Sequence, residues 1–194
     1  MNPAPLGLVV LISGYGSNLQ AILDAAGAGT IPVRVSAVVS NRADARGLDR
    51  AREAGVPAIA VEAARGQSRA DYDGALRAAI DPFGPELIAL AGFMRILTPT
   101  FVNAYAGRML NIHPSLLPRY RGLHTHRRAL EAGDAWHGTS IHYVTEELDG
   151  GPVVRQVRVP VRPGDDEASL ATRVQREEHR IYPDCLLYTS PEPT

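Results

Sequence analysis

Asn111 and His113 stand two residues apart in MLNIHPSLLPRYRG, residues 109–122, at the end of an apolar run. In extended chain, side chains two apart share one face. Pro114 disfavours the helical region for the residue before it and so keeps His113 extended. An amide beside an imidazole suits acyl transfer: the amide donates a hydrogen bond to an oxyanion, while the imidazole handles protons or adds positive charge. No G-x-S-x-G nucleophile elbow occurs, so direct attack by an amine of the substrate fits better than a covalent enzyme intermediate. The alternative is a structural histidine in a loop stiffened by Pro114 and Pro118.

Other segments offer further chemistry. Asp149 lies in EELDGGP, where aspartate serves turn formation alone; folded over a sheet edge, its carboxylate would pair with His113, raise the imidazole pKa and orient the ring. SGYGSN, residues 13–18, is a glycine turn between a strand and a helix. It reads either as a tight turn with Ser17 as N-cap or as a site where backbone N–H groups and the helix N-terminus hold an anion. It lacks the third glycine of G-x-G-x-x-G and the Gly-Lys-Ser/Thr of a P-loop, which leaves a single phosphate rather than a dinucleotide or nucleoside triphosphate. GFMRIL, residues 92–97, supplies apolar side chains and Arg95, fit either for core packing or for lining the pocket of a flat heterocycle. The arginines from Arg119 to Arg128 read as solvated loop charge or as a rim facing a polyanionic or carboxylate-bearing ligand. The six histidines stand at 113, 124, 126, 137, 142 and 179. HTH, residues 124–126, has no companion ligand at a recognised zinc spacing, so no metal is expected. His137 and His142, an odd number apart, would face opposite sides of one strand.

These residues need a scaffold. Apolar runs over 6–12, 33–40, 56–61, 86–92 and 108–112 alternate with helical patterns over 17–29, 45–55, 68–80 and 98–107. Continuously apolar strands separated by helices predict a doubly wound α/β fold with a mostly parallel sheet covered on both faces. After His113 the pattern becomes a short helix over 126–134, alternating strands over 136–148 and 152–161 around DGGP, and a last helix over 166–182 behind the acidic cap GDD. In open α/β sheets, ligands gather beyond the carboxyl ends of strands, near the reversal of strand order. SGYGSN, GFMRIL and NIHPS all fall at such ends.

The chain has 194 residues, 45% of them hydrophobic, enough for one domain with a proper core. Twenty Lys and Arg against 21 Asp and Glu give a net charge of −1, so no overall field attracts nucleic acid or an anionic membrane. Cys185, the single cysteine, excludes an intramolecular disulfide framework and fits a reducing cytoplasm. The apolar run at 6–12 has no basic residues before it and reads as a buried strand, not a signal peptide. No stretch approaches the roughly 20 apolar residues that span a bilayer.

VVLISGYGSNLQAI, SNRADARGL, LAGFMRILTP, LNIHPSLLPRYRGLHTHRRALEAGD, HGTSIHYVTEELDGGPV and RVQREEHRIYP together resemble the phosphoribosylglycinamide formyltransferases of purine synthesis, from about Leu6 to about Pro183. The resemblance implies the formyltransferase version of the α/β sheet, with antiparallel strands in its C-terminal part. It implies formyl transfer from 10-formyltetrahydrofolate, a cosubstrate, to the amino group of glycinamide ribonucleotide, with no metal. The catalytic trio falls on Asn111, His113 and Asp149: the amide and a protonated imidazole stabilise the oxyanion, and the carboxylate sustains the imidazolium and helps proton transfer. Gly16, Ser17, Asn18 and Glu178 match the ribonucleotide site. Arg69, Met94, Arg95, Ile96, Leu97 and Asn111 match the folate site, with the pterin in the cleft and the glutamate tail outward. The expected partners are small-molecule substrates, with neither nucleic acid nor membrane, and the chain is expected as a monomer or homodimer in the cytoplasm.

Two departures stand out. Tyr15 lies between the glycines where many relatives carry a small or polar residue; its ring would crowd or cover the phosphate turn, whose backbone donors would remain. Residues 184–194, DCLLYTSPEPT, do not continue the family pattern, which suggests a formyltransferase domain over 1–183 and a truncated or foreign tail. The alternatives are a formyltetrahydrofolate hydrolase, a formyltransferase with another amine acceptor, or a non-catalytic folate- or nucleotide-binding module. Acceptors such as initiator tRNA would call for an added C-terminal domain and a basic surface, and the hydrolases for an N-terminal regulatory domain; neither is seen in the chain.

Overall fold

The computed structural model describes residues 4–186. Its order is β1 Leu6–Ile12, α1 Ser17–Gly27, β2 Val33–Ser40, α2 Arg46–Glu53, β3 Ala58–Ala60, α3 Arg69–Ile80, β4 Leu87–Leu90, α4 Pro99–Ala104, β5 Met109–His113, α5 Thr125–Glu131, β6 Trp136–Tyr143, β7 Val153–Pro160 and α6 Glu167–Leu186. The strands form one sheet in the order β3-β2-β1-β4-β5-β6-β7. The pairs from β3 through β5 are parallel, whereas β5–β6 and β6–β7 are antiparallel.

All seven residues of β1 are buried, because helices cover both faces of the sheet. Leu8, Val10 and Ile12 pack with α1, α2 and the end of α6, while Val9 and Leu11 face α3 and α4. Order reverses between β1 and β4, so the connections leaving these two strands flank the crevice where such sheets place ligands. Tyr182 of α6, fully buried, donates its hydroxyl to the carbonyls of Leu90 and Leu110, at 2.9 and 3.2 Å. That bond anchors α6 across β4 and β5, close to the end of the strand that bears Asn111 and His113.

Most elements are shorter than the sequence pattern, β3 covering only Ala58–Ala60 and α5 only Thr125–Glu131, and three boundaries have a clear physical reason. The strand expected over 136–148 stops at Tyr143: after a register shift at Ile141/His142 the pairing with β7 ends at His142↔Val153, and residues 144–152 form a loop. The helix expected to 107 ends at Ala104. α6 runs past Tyr182 through Pro183 to Leu186, with Pro183, Cys185 and Leu186 buried; their burial offsets the backbone bond a proline removes. Thus residues 184–186 continue a core helix, and 187–194 of the expected tail lie outside the described residues. No helix among the described residues is long and apolar enough to cross a membrane.

Candidate active site

β5 runs to His113 itself, so period-2 geometry carries Asn111 and His113 to the same face, that of α3 and α4. Asn111 is directly opposite His142 of β6. The His142 Nδ1 lies 2.9 Å from the Tyr143 carbonyl, which can only accept, so Nδ1 carries the proton. Its Nε2 lies 3.1 Å from the Asn111 amide nitrogen. This leaves the second amide N–H of Asn111 available.

Asp149 reaches this pair from the loop after β6. Its φ of 49° lies in the left-handed region, which aspartate tolerates better than most residues. Gly151, two residues on, lies so close to β6 that a Cβ there would overlap the Tyr143 carbonyl oxygen; glycine lets the turn fold back. The carboxylate accepts from the Gly122 N–H at 2.9 Å and stands 3.5 Å from His113 Nδ1 and 3.6 Å from His142 Nε2. Burial pushes the Asp149 carboxyl up, but His142, Gly122 and His113 outweigh it, and the net shift is downward. Asp149 is therefore an anion at neutral pH.

His113 donates from Nε2 to the Tyr120 carbonyl at 2.9 Å, leaving Nδ1 toward Asp149. Asp149 raises its pKa as expected, yet the net shift is downward. Burial lowers it, and Tyr120 and Asp149 together do not compensate, so the ligand-free ring is neutral. Stiffness in the following loop comes from hydrogen bonds as much as from proline. Ser140 Oγ donates to the Ser115 carbonyl and accepts the Leu117 N–H, at 2.6 and 3.0 Å, and Gln156 donates to the Leu117 carbonyl at 2.7 Å.

At the other crevice wall, Gly16 is the N-cap of α1, with φ 76° and no side-chain cap. The alternative of Ser17 as N-cap is thus overturned: Ser17 begins the helix, and its hydroxyl accepts from Gln175 at 2.9 Å. A Cβ on Gly16 would lie 2.7 Å from the Gly47 Cα, so only glycine permits this approach. The N–H groups of Tyr15, Gly16, Ser17 and Asn18 have no hydrogen-bond partner among the described residues, an arrangement suited to an anion. Tyr15 does not crowd the turn. The residue is 62% exposed, and its ring stacks on the Arg50 guanidinium, whose carbon lies 4.4 Å from the ring centroid. Asn18 donates to Glu178 at 3.0 Å, while its own Oδ1 is buried without a partner. Burial raises the Glu178 pKa against the pull of Asn18 and Thr139. Thr139 in turn donates to the His113 carbonyl at 3.0 Å, linking the two candidate centres.

Arg95, Ile96, Leu97, Asn111, His142 and Asp149 line a cleft of about 100 Å³ between them. The backbone N–H and C=O groups of Arg95, Ile96 and Leu97 make no hydrogen bond among the described residues, so they are free to meet a polar ring. Met94 and Arg69 do not line this cleft: Met94 is 68% exposed with its N–H bonded to Ser13 Oγ, and Arg69 is exposed at the start of α3. Nor do the arginines of residues 119–128 form an anion-facing rim. Arg119 pairs with Asp134, Arg121 with Glu147 and Arg127 with Glu167, and Arg128 donates to the carbonyls of Arg121 and Leu123.

His126 and His137 are joined Nδ1 to Nε2 at 3.1 Å. Burial lowers both, His137 to about 4 from 6.5. Between those two pH values the unfolded chain binds more protons at this site than the folded one, so stability is complete above about pH 6.5 and falls as pH drops toward 4. Thermal melts are expected to show this fall, and His137→Gln to flatten it. An unchanged slope in the variant would refute the assignment. Among the described residues no three His, Cys, Asp or Glu side chains converge as metal ligands.

A family model described as formyl transferase matches residues 6–186. The phosphoribosylglycinamide formyltransferase of Escherichia coli (strain K12) is 59% identical over 92% of this chain and 84% of its own length. The solved phosphoribosylglycinamide formyltransferase of Coxiella burnetii superposes with a TM-score of 0.90 at 52% identity, covering 95% of this chain and 86% of that one. For glycinamide ribonucleotide transformylase 1 of Symbiobacterium toebii the values are 0.93 and 46%, over 96% and 88%. With an amide, an imidazole and a carboxylate gathered at the sheet edge and a family match that spans the whole described fold, the chain belongs to the formyl transferase family.

Proposed function

We propose that this formyltransferase moves the formyl group of 10-formyltetrahydrofolate to the amino group of glycinamide ribonucleotide, a step of purine biosynthesis. One observation carries the reading: the acyl-transfer groups adjoin both a turn with free N–H groups, suited to one phosphate, and a cleft with free backbone groups, suited to a flat polar ring. Relatives that share more than half of its residues carry the corresponding name.

In this reading Gly16, Ser17 and Asn18 hold the ribonucleotide phosphate, Glu178 contacts the same substrate, and Arg95, Ile96 and Leu97 receive the pterin. A cleft this small encloses one end of an extended ligand and leaves the remainder at the surface, where Arg69 and Met94 would meet the folate tail. Attack of the amine on the formyl carbon creates an oxyanion and a cationic nitrogen. Asn111 donates its free N–H to the oxyanion. The proton shed by the nitrogen passes to His113 Nδ1, where anionic Asp149 stabilises the imidazolium, and it ends on the folate nitrogen as the old C–N bond breaks. The cation at His113 is thus formed during the reaction, because burial keeps the free ring neutral.

The test is tetrahydrofolate formation with and without glycinamide ribonucleotide. Turnover that requires both substrates is expected; equal turnover without the ribonucleotide would replace this reading with that of a hydrolase. Ser17→Ala is expected to raise the KM for the ribonucleotide about fivefold, the scale of one lost hydrogen bond, with the folate KM unchanged. Weakening confined to the folate would misplace the phosphate site.

A further inference from the structure

The segment 93–98 forms one wall of the cleft, yet the backbone of Arg95, Ile96 and Leu97 makes no hydrogen bond among the described residues. Besides the packing of Phe93 and Leu97 against the core, three side chains tether it. One, Ser13, comes from the end of β1 and accepts the Met94 N–H at 2.7 Å. The other two are consecutive residues of α3. Asp73, 5% exposed, accepts the Thr98 N–H at 2.6 Å. Tyr72, fully buried, presents its ring face to the Arg95 guanidinium, whose carbon lies 3.8 Å from the ring centroid.

Packing alone does not account for Asp73, and the Tyr72 ring has a contact beyond its place in the core. A buried carboxylate is costly unless a polar partner uses it, and the hydrogen-bond partner of Asp73 is a backbone N–H of the cleft segment. Tyr72 packs in the core with Leu76 and Phe101, and its hydroxyl, buried without a hydrogen-bond partner, takes no part in the contact with Arg95. What its ring does is hold a cation: a guanidinium over an aromatic face is attracted by the ring quadrupole, more strongly where water is excluded. α3 thereby fixes the middle of the segment through Arg95 and its end through Thr98, which is also the N-cap of α4.

Building on the proposed function, we infer that Tyr72 and Asp73 are positioning residues for the formyl donor: they hold Arg95, Ile96 and Leu97 in the conformation that receives the pterin. Neither lines the cleft, and both act through the segment they hold.

The experiment measures KM for 10-formyltetrahydrofolate, KM for glycinamide ribonucleotide and kcat in Tyr72→Leu, Tyr72→Phe, Asp73→Ala and Asp73→Asn, with a thermal melt of each. Tyr72→Leu and Asp73→Ala are expected to raise the donor KM roughly tenfold, the scale of one lost desolvated cation–π or charged hydrogen bond. The ribonucleotide KM and kcat stay within about twofold. Tyr72→Phe keeps the ring face and Asp73→Asn keeps an acceptor oxygen, so both restore most of the donor affinity. Equal rises in both KM values, lower melting temperatures with an unchanged donor KM, or Tyr72→Phe as impaired as Tyr72→Leu would each overturn the proposal. If Asp73→Ala fails to fold, the two Tyr72 variants decide. Should the wild type transfer no formyl group to the ribonucleotide, the functional reading fails by itself. Calorimetric binding of tetrahydrofolate to the same variants then tests Tyr72 and Asp73 separately, with unchanged affinity counting against them.

Discussion

Replacing His113 by alanine is expected to lower kcat about a thousandfold while leaving both KM values within about threefold. The ring lies with Nε2 on the Tyr120 carbonyl and Nδ1 facing Asp149, so it can take a proton only on the side of the carboxylate. That proton is gained as the amine attacks, which makes the interaction one of the transition state and not of the bound ground state. A thousandfold loss corresponds to about 4 kcal/mol, the scale of one removed acid–base group. His113 is buried, so the variant will also melt lower; steady-state kinetics well below the melting temperature separate the two effects. A kcat within tenfold of wild type would remove His113 from the chemistry.

Asp149→Asn is expected to cost at least a hundredfold in kcat, and it has a spectroscopic counterpart. The anion opposes the burial that lowers the His113 pKa. Removing it leaves burial less opposed, so the His113 ring signal in NMR is expected to titrate at a lower pH than in wild type. The asparagine keeps an oxygen for the Gly122 N–H, so the turn survives and the lost term is charge. A His113 titration unmoved by the substitution would show that the carboxylate does not act through this ring.

Much of the framework was legible in residue order. β1 and β2 coincide with the apolar runs 6–12 and 33–40, all buried but Arg34, because parallel strands covered on both faces have little polar surface to blur their limits. Boundaries failed where tertiary contacts overrode local pattern: the alternation in 136–148 outlasts its ladder, and Pro183 looks like a terminus yet sits inside a helix held by buried Cys185 and Leu186. The shared face of Asn111 and His113 follows from spacing alone. His142, by contrast, carried no signal for its part in the site. Its place beside Asn111 depends on the register between β5 and β6, and the long connection through α5 leaves that register unspecified in the sequence.

The protonation of His113 shows the division most plainly. The order of residues determined that an imidazole stands beside an amide at a strand end, with a carboxylate in a later turn. The family resemblance added that the three act together. Only the tertiary structure decided the distances and the burial, and with them the charge. A carboxylate 3.5 Å away favours the imidazolium, but removal from water disfavours it more. Desolvation depends on everything packed around a group and so cannot be read from the group's neighbours in sequence. The same holds for the cleft segment, whose contacts with Ser13, Tyr72 and Asp73, distant in sequence, only the tertiary structure brings together.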